Sequence, residues 1–193
     1  MFLAVDTETT GLEDECNVLT AYFIILDNDL NRIDVLDLKI KYKYYTVYTQ
    51  ALEINKINLI DHHNDTNSLY NELAMIKLSS FLEKNKDENK YKILGHNVQF
   101  DLKMLIKNNI INTDSINTYL NIDELEDTLT LAKKLKQLKL IPSKQSLSLS
   151  KICYYFELNE HLIDSVNFHN AEYDIKLTVL LYKKLKELED NNI

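Results

Sequence analysis

Two carboxylates set two residues apart, at the end of a short apolar run, constrain this chain more than any other feature. The run Phe2-Leu3-Ala4-Val5 leads straight into Asp6-Thr7-Glu8-Thr9-Thr10-Gly11-Leu12. Apolar residues bounded by polar ones at this length read as a short buried strand. On a strand the i, i+2 spacing turns Asp6 and Glu8 to the same face of a sheet. Like charges held that close repel each other and lose hydration, so they persist only when a cation, usually a divalent metal, sits between them. Oxygen donors of this kind suit magnesium or manganese rather than zinc. Thr9, Thr10 and Gly11 then offer hydroxyls and unobstructed backbone to whatever approaches the metal, and a polyanion is the natural guest.

The rest of the chain predicts one α/β domain spanning residues 1–193, a size typical of a single core. Residues 2–5, 18–26 and 33–45 read as strands separated by Asp- and Asn-rich turns, and such short connections imply antiparallel neighbours. From Ala51 the spacing becomes helical, with Leu69, Leu73, Ile76 and Phe81 marking a helix that runs into the polar stretch 83–90. Residues 91–94 form a fourth strand, 100–106 continue as a helix, and a short fifth strand precedes Asp127. Helical patterns follow at 129–140, 148–156 and 171–188. The sum is a mixed five-stranded sheet, three antiparallel strands then parallel ones, flanked by helices.

The formal net charge of −8 argues against a general nucleic-acid binder. It does not argue against an enzyme whose acids gather around metal ions, because divalent ions offset them locally. Charge is also uneven. Residues 128–156 contain no Asp or Glu but carry Lys133, Lys134, Lys136, Lys139, Lys144 and Lys151, which is either a path for phosphates or a solvated helix face. In the third strand Lys39, Lys41 and Lys43 alternate with Ile40, Tyr42 and Tyr44. That pattern suits an edge strand protected by lysines, or a lysine and tyrosine surface for single strands. Cys16 and Cys153 lack metal or disulfide spacing, so a reducing cytoplasm is expected. No apolar segment approaches the roughly 20 residues of a membrane span, so a soluble protein is expected. Both glycines, Gly11 and Gly95, fall in the motifs discussed here, as if glycine were kept for close approach.

Two further motifs complete a set. Gly95-His96-Asn97-Val98-Gln99-Phe100-Asp101 follows a strand and opens a helix, placing Asp101 in the first turn, where the helix dipole favours a carboxylate. His169-Asn170-Ala171-Glu172-Tyr173-Asp174 begins the last long helix, with Asp174 a turn beyond His169 and able to face the sheet. Taken singly, Asp101 reads as an N-terminal acid, His169 as a cap and Asp174 as a surface acid. Together with Asp6 and Glu8 the chain resembles the DnaQ-like 3′→5′ exonucleases of the DEDDh type, whose fold is ribonuclease H-like. The resemblance runs nearly end to end: Asp6 to Leu12 match the first motif, Asn97, Phe100 and Asp101 the second, His169 and Asp174 the third. Weaker echoes lie at Ala51-Leu52-Glu53-Ile54-Asn55 and at Asp127-Thr128-Leu129. The sister class would need tyrosine at position 170, where this chain has Asn170. The segment after Asn55 departs from the family in having Lys56 where a glycine is often found.

The resemblance implies a magnesium- or manganese-dependent hydrolase with two divalent metal ions. Asp6, Glu8 and Asp174 would hold one ion, Asp6 would also reach the second, and Asp101 would support that second ion directly or through water. His169 would take the proton from the attacking water, since its ordinary pKa of about 6.5 suits a base at neutral pH. Thr7, Thr9, Thr10, Gly11 and Leu12, with Asn97, Phe100 and His169, would receive the terminal nucleotide. The expected substrate is the 3′ end of single-stranded nucleic acid. DNA is favoured, with RNA the alternative and a non-catalytic nucleic-acid or polymerase-binding module a third reading. A DNA polymerase partner, bound through the folded surface, and a free-standing enzyme are both compatible with the chain, and the oligomeric state is open. His62-His63 beside Asp61 and Asp65 is a weak second metal motif, because adjacent residues diverge. His96 and His161 show no partners in the sequence.

Overall fold

Strand β1, Phe2–Thr9, runs past its apolar stretch because its neighbour keeps pairing with it. Strand β2, Val18–Leu26, matches it antiparallel from Phe2↔Leu26 to Glu8↔Thr20, with an irregularity only between Glu8 and Thr9. Strand β3, Arg32–Lys41, continues the meander antiparallel to β2. This computed structural model describes residues 1–86, 88–158 and 170–192. Short helices α1, Thr49–Asn55, and α2, Leu59–Asn64, then lead to strand β4, Ser68–Tyr70, and helix α3, Asn71–Lys84. Next come β5, Tyr91–Gly95, α4, Val98–Lys107, α5, Thr113–Tyr119, and β6, Leu120–Asp127. Helices α6, Thr128–Gln137, α7, Leu149–Tyr155, and α8, Ala171–Asp190, complete the order. The mixed sheet is arranged β4-β3-β2-β1-β5-β6, with β5 parallel to β1, β6 parallel to β5 and β4 parallel to β3.

The sheet has six strands rather than the expected five. Ser68–Tyr70 pairs with Lys39–Lys41, so Leu69 belongs to β4 and the following helix starts at Asn71. Leu73 and Ile76 are exposed, whereas Ala74, Leu78, Phe81 and Leu82 are buried. The buried set keeps i, i+4, i+7, i+8 spacing, and it is this stripe, which retains the expected Phe81 but not Leu73 or Ile76, that faces the sheet. Strand β3 ends at Lys41 instead of residue 45. Its lysines do not guard a free edge at that end: β4 covers it, and Lys39 pairs with Asp65 at 2.6 Å.

The period-two alternation of β1 sends Leu3 and Val5 into the large core shared with α3 and α4, and Ala4 into a smaller core with Ala171 and Ile175 of α8. Each fully buried Leu, Ile or Phe contributes about 1.5–3 kcal/mol, so this two-sided burial fixes the register of β1. That register places Asp6 and Glu8 on the α8 face. A third core joins α6, α7 and α8 through Leu135, Ile152, Leu177 and Leu181. Cys16 and Cys153 are buried and free. Among the described residues no helix is long and apolar enough to cross a membrane.

Candidate active site

Three of the predicted acids meet at the carboxyl end of β1. One carboxylate oxygen from each of Asp6, Glu8 and Asp174 lies within 4.8 Å of the others. Asp6 and Glu8 come from alternate positions of β1. Asp174 comes from the first turn of α8, whose start is set by Asn170: its side chain accepts from the backbone N–H groups of Glu172 and Tyr173 at 3.1 and 3.3 Å. An asparagine cap of this kind stabilises a helix end by about 1 kcal/mol. Here it also fixes the turn that carries Asp174.

The electrostatics are those of a site built for a cation. Withdrawal from water, followed by repulsion from Asp101, Asp174 and Glu8, holds the Asp6 carboxyl well above its usual range. Glu8 is pushed up to about 8, first by burial and then by Asp174 and Asp101. All three are hard oxygen donors in one small volume, and a divalent ion of the magnesium or manganese type fits them. Among the described residues this is the only such group of three.

Asp101 stands beside that group rather than in it. Buried in the first turn of α4, it accepts from the Thr7 backbone N–H at 3.0 Å and from the Thr7 hydroxyl at 2.7 Å. Burial raises its carboxyl to about 7, against the lowering effect of both Thr7 hydrogen bonds. Helix α4 begins at Asn97, which adopts the left-handed conformation at φ 66° and donates its N–H to Asp127 at 2.8 Å. Asparagine tolerates that conformation better than most residues. Gly95, just before it, has no room for a side chain: a Cβ would meet Val98 at 2.6 Å. The same holds at Gly11, where a Cβ would meet the Cys16 sulfur at 2.6 Å and the Tyr48 ring at 2.7 Å. Neither glycine has positive φ, so close approach, not backbone freedom, accounts for both.

A cavity of about 350 Å³ opens beside Glu8, lined by Thr7, Thr9, Gly11, Leu12, Tyr48, Ile54, Asn55 and Phe100 among others. Leu12 is 77% exposed and stands at its rim. Thr10 is behind the wall: fully buried, its hydroxyl donates to the Thr46 carbonyl at 2.6 Å and accepts from the Asn17 N–H at 2.8 Å. Asn97 is exposed and does not line the cavity. His169 and His161 lie outside the described residues. Sequence reasoning singled out neither Tyr48 nor Asn55. The Asn55 amide donates to the Thr9 carbonyl at 3.1 Å and its oxygen accepts from Ile57, so this buried side chain ties α1 to the end of β1. Its signal was the weaker echo that ends at Asn55.

The other histidines have structural partners. His62 is buried with Nε2 at 2.9 Å from the Ile40 carbonyl, and His63 Nδ1 is 3.0 Å from the Tyr45 hydroxyl, so the pair diverges as expected. His96 has a partner after all, the Thr128 hydroxyl at 2.8 Å from Nδ1.

No protein-family model matches the chain, and no curated protein matches it by sequence. Solved structures do. Escherichia coli Exonuclease I in complex with a dT13 oligonucleotide superposes with TM-score 0.73 at 20% identity, covering 98% of this chain and 42% of that one. The fold is ribonuclease H-like. Exonuclease X in complex with 5′ overhanging duplex DNA matches with TM-score 0.60 and 17% identity, over 97% of this chain and 92% of that one. Cell-death related nuclease 4 matches with TM-score 0.69 and 14% identity, over 96% and 63%. The chain thus spans about two fifths of the length of Exonuclease I, which has also been solved in a zinc-bound form with single-stranded DNA.

Proposed function

We propose that this chain is a metal-dependent 3′→5′ exonuclease acting on single-stranded DNA. The observation that carries the reading is the cluster of Asp6, Glu8 and Asp174, whose member Glu8 also lines a cavity of about 350 Å³. The DNA-bound and zinc-bound forms of Exonuclease I support it. Direction rests on the sequence resemblance described above, and hydrolysis base after base from the 3′ end would release 5′-mononucleotides.

Asp6, Glu8 and Asp174 would hold divalent ions, with Asp101 the fourth acid at their side. When bound, such ions stabilise the charge that develops on a phosphodiester and make water a competent nucleophile at neutral pH. The chain's own groups supply the remainder. Leu12, Tyr48 and Phe100 offer apolar and aromatic contact that tolerates any base. Gly11 lets the backbone come close. The Thr7 hydrogen bonds hold Asp101 in one orientation. His169, which precedes the Asn170 cap in sequence, is the general base of this reading, and activity is expected to fall in acid as it protonates.

The test uses 5′-labelled single-stranded DNA and RNA of one sequence, with magnesium, manganese or chelator, alongside Asp6→Asn. A metal-dependent ladder shortening from the 3′ end, stronger on DNA and absent in the variant, is the expected result. Intact oligonucleotides under every condition would overturn the assignment, and a stronger ladder on RNA would change the substrate.

A further inference from the structure

We propose that the carboxyl edge of β3 and β4 is a second binding surface for the same strand, taking nucleotides upstream of the one in the cavity. The proposal rests on the exonuclease reading for the identity of the strand. Its own support is geometric.

Strand β3 runs parallel to β1, because each is antiparallel to β2. Glu8, Thr20, Lys39 and Ser68 therefore lie in one row across four strands. Two residues beyond that row Lys41 sits beside Tyr70, at the edge of the sheet that carries the carboxylates. Three strand spacings separate β1 from β4, roughly 14 Å. That distance is within reach of a few nucleotides of extended strand.

The chemistry at that edge suits single-stranded nucleic acid. A shallow cavity of about 560 Å³ is lined by Lys43, Tyr44, Tyr70 and Leu73 among others. Tyr44 is 88% exposed, and Tyr70 and Leu73 are exposed as well. The Lys41 ammonium lies 5.5 Å from the centre of the Tyr70 ring, a cation over an aromatic face. Exposed rings beside lysines bind single strands by stacking and phosphate attraction without reading sequence. One acid, Glu72, lines the same cavity and is the group that opposes phosphate there.

The surface is also tied to the cavity by the backbone. After β3 the chain crosses the sheet edge to Thr10, which accepts from the Tyr48 N–H at 2.8 Å and donates to the Thr46 carbonyl. Residues 44–48 thus run from the exposed Tyr44 to Tyr48 in the cavity wall. Tyr45 anchors this segment. Its hydroxyl accepts from the Tyr42 N–H at 3.1 Å and meets His63 at 3.0 Å. Tyr44 is consequently presented on a fixed backbone, which lowers the entropy lost on stacking.

The experiment is fluorescence anisotropy in chelator, where the proposed chemistry is stopped, comparing the full chain with Lys43→Ala/Tyr44→Ala and with Tyr44→Phe. Both residues are exposed, so the variants should fold normally. Binding of a single strand of about twelve nucleotides should weaken about tenfold in the double variant and be retained in Tyr44→Phe, while binding of a dinucleotide should not change. Equal binding of the longer strand by the double variant, or no binding of it by the unmodified chain, would overturn the proposal. Because no turnover is needed, binding without any nuclease activity would uphold this surface while removing the exonuclease reading. Activity without a length-dependent loss would do the reverse.

Discussion

Asp101 and the trio of Asp6, Glu8 and Asp174 carry the same charge at the same end of one sheet, yet the protein treats them differently. Asp101 is given two donors by Thr7, a backbone N–H and a hydroxyl. Asp6 and Glu8 instead face other carboxylates, Asp101 among them: each is raised first by burial and then by its acidic neighbours. A carboxylate supported by protein donors is a fixed part of the wall. Carboxylates set against each other are stable as anions only when something from outside neutralises them, and that is the signature of a cation site.

Removing a member of the trio should have the largest effect, with opposite signs for activity and stability. Asp6→Asn is expected to lower turnover by on the order of a thousandfold or more. In chelator near pH 8 the same change should raise the melting temperature by about 4 °C, through relief of repulsion worth about 1–2 kcal/mol. A parallel loss of both would break the comparison, since it would make Asp6 a structural acid.

The pH dependence sharpens it next. Glu8 is raised from 4.5 to about 8 in the folded chain. Between those values the unfolded chain has released a proton that the folded chain keeps, so stability without metal falls as pH rises through that window. The loss should be on the order of a few kcal/mol by chemical denaturation, and saturating magnesium should remove it. A flat profile in chelator would show that the acids are already compensated.

On the other side of the comparison, Thr7→Val deletes one of the two Asp101 donors. It is expected to cost about 1–2 kcal/mol of stability and about tenfold in turnover. Thr7→Ser should restore both, as read by thermal melts and steady-state rates. Asn170→Ala should be the mildest, about 1 kcal/mol of helix stability and a small rise in KM for metal, because it loosens the turn holding Asp174 without touching the acids.

Much of this was legible in the sequence because β1, α4 and α8 announce themselves locally. Phe2 to Val5 signals a strand, Gly95 to Asp101 a strand turning into a helix, and residues 171–188 a long helix. What was hidden depends on distant partners. Ser68–Tyr70 is too short to show a period and is a strand only because Lys39–Lys41 lies beside it. Of the stripe expected for α3, Phe81 is buried, whereas Leu73 and Ile76 are exposed and the sheet selects Ala74 and Leu78. Thr10 looks like a substrate hydroxyl until the chain folds and Thr46 and Asn17 claim it. Asn55 becomes important only when α1 docks against Thr9. Side chains whose role is set by contacts with other segments of the chain leave no periodic trace, whereas residues that follow each other along β1 do.

The most direct measurement is manganese binding to the unmodified chain and to Asp6→Asn, followed by paramagnetic resonance or calorimetry at about pH 8, close to the raised value of Glu8. Saturable binding by the unmodified chain, weakened at least about tenfold in the variant, is the expected result. Equal binding by both, or none by the unmodified chain, would contradict the claim that these three carboxylates form a cation site.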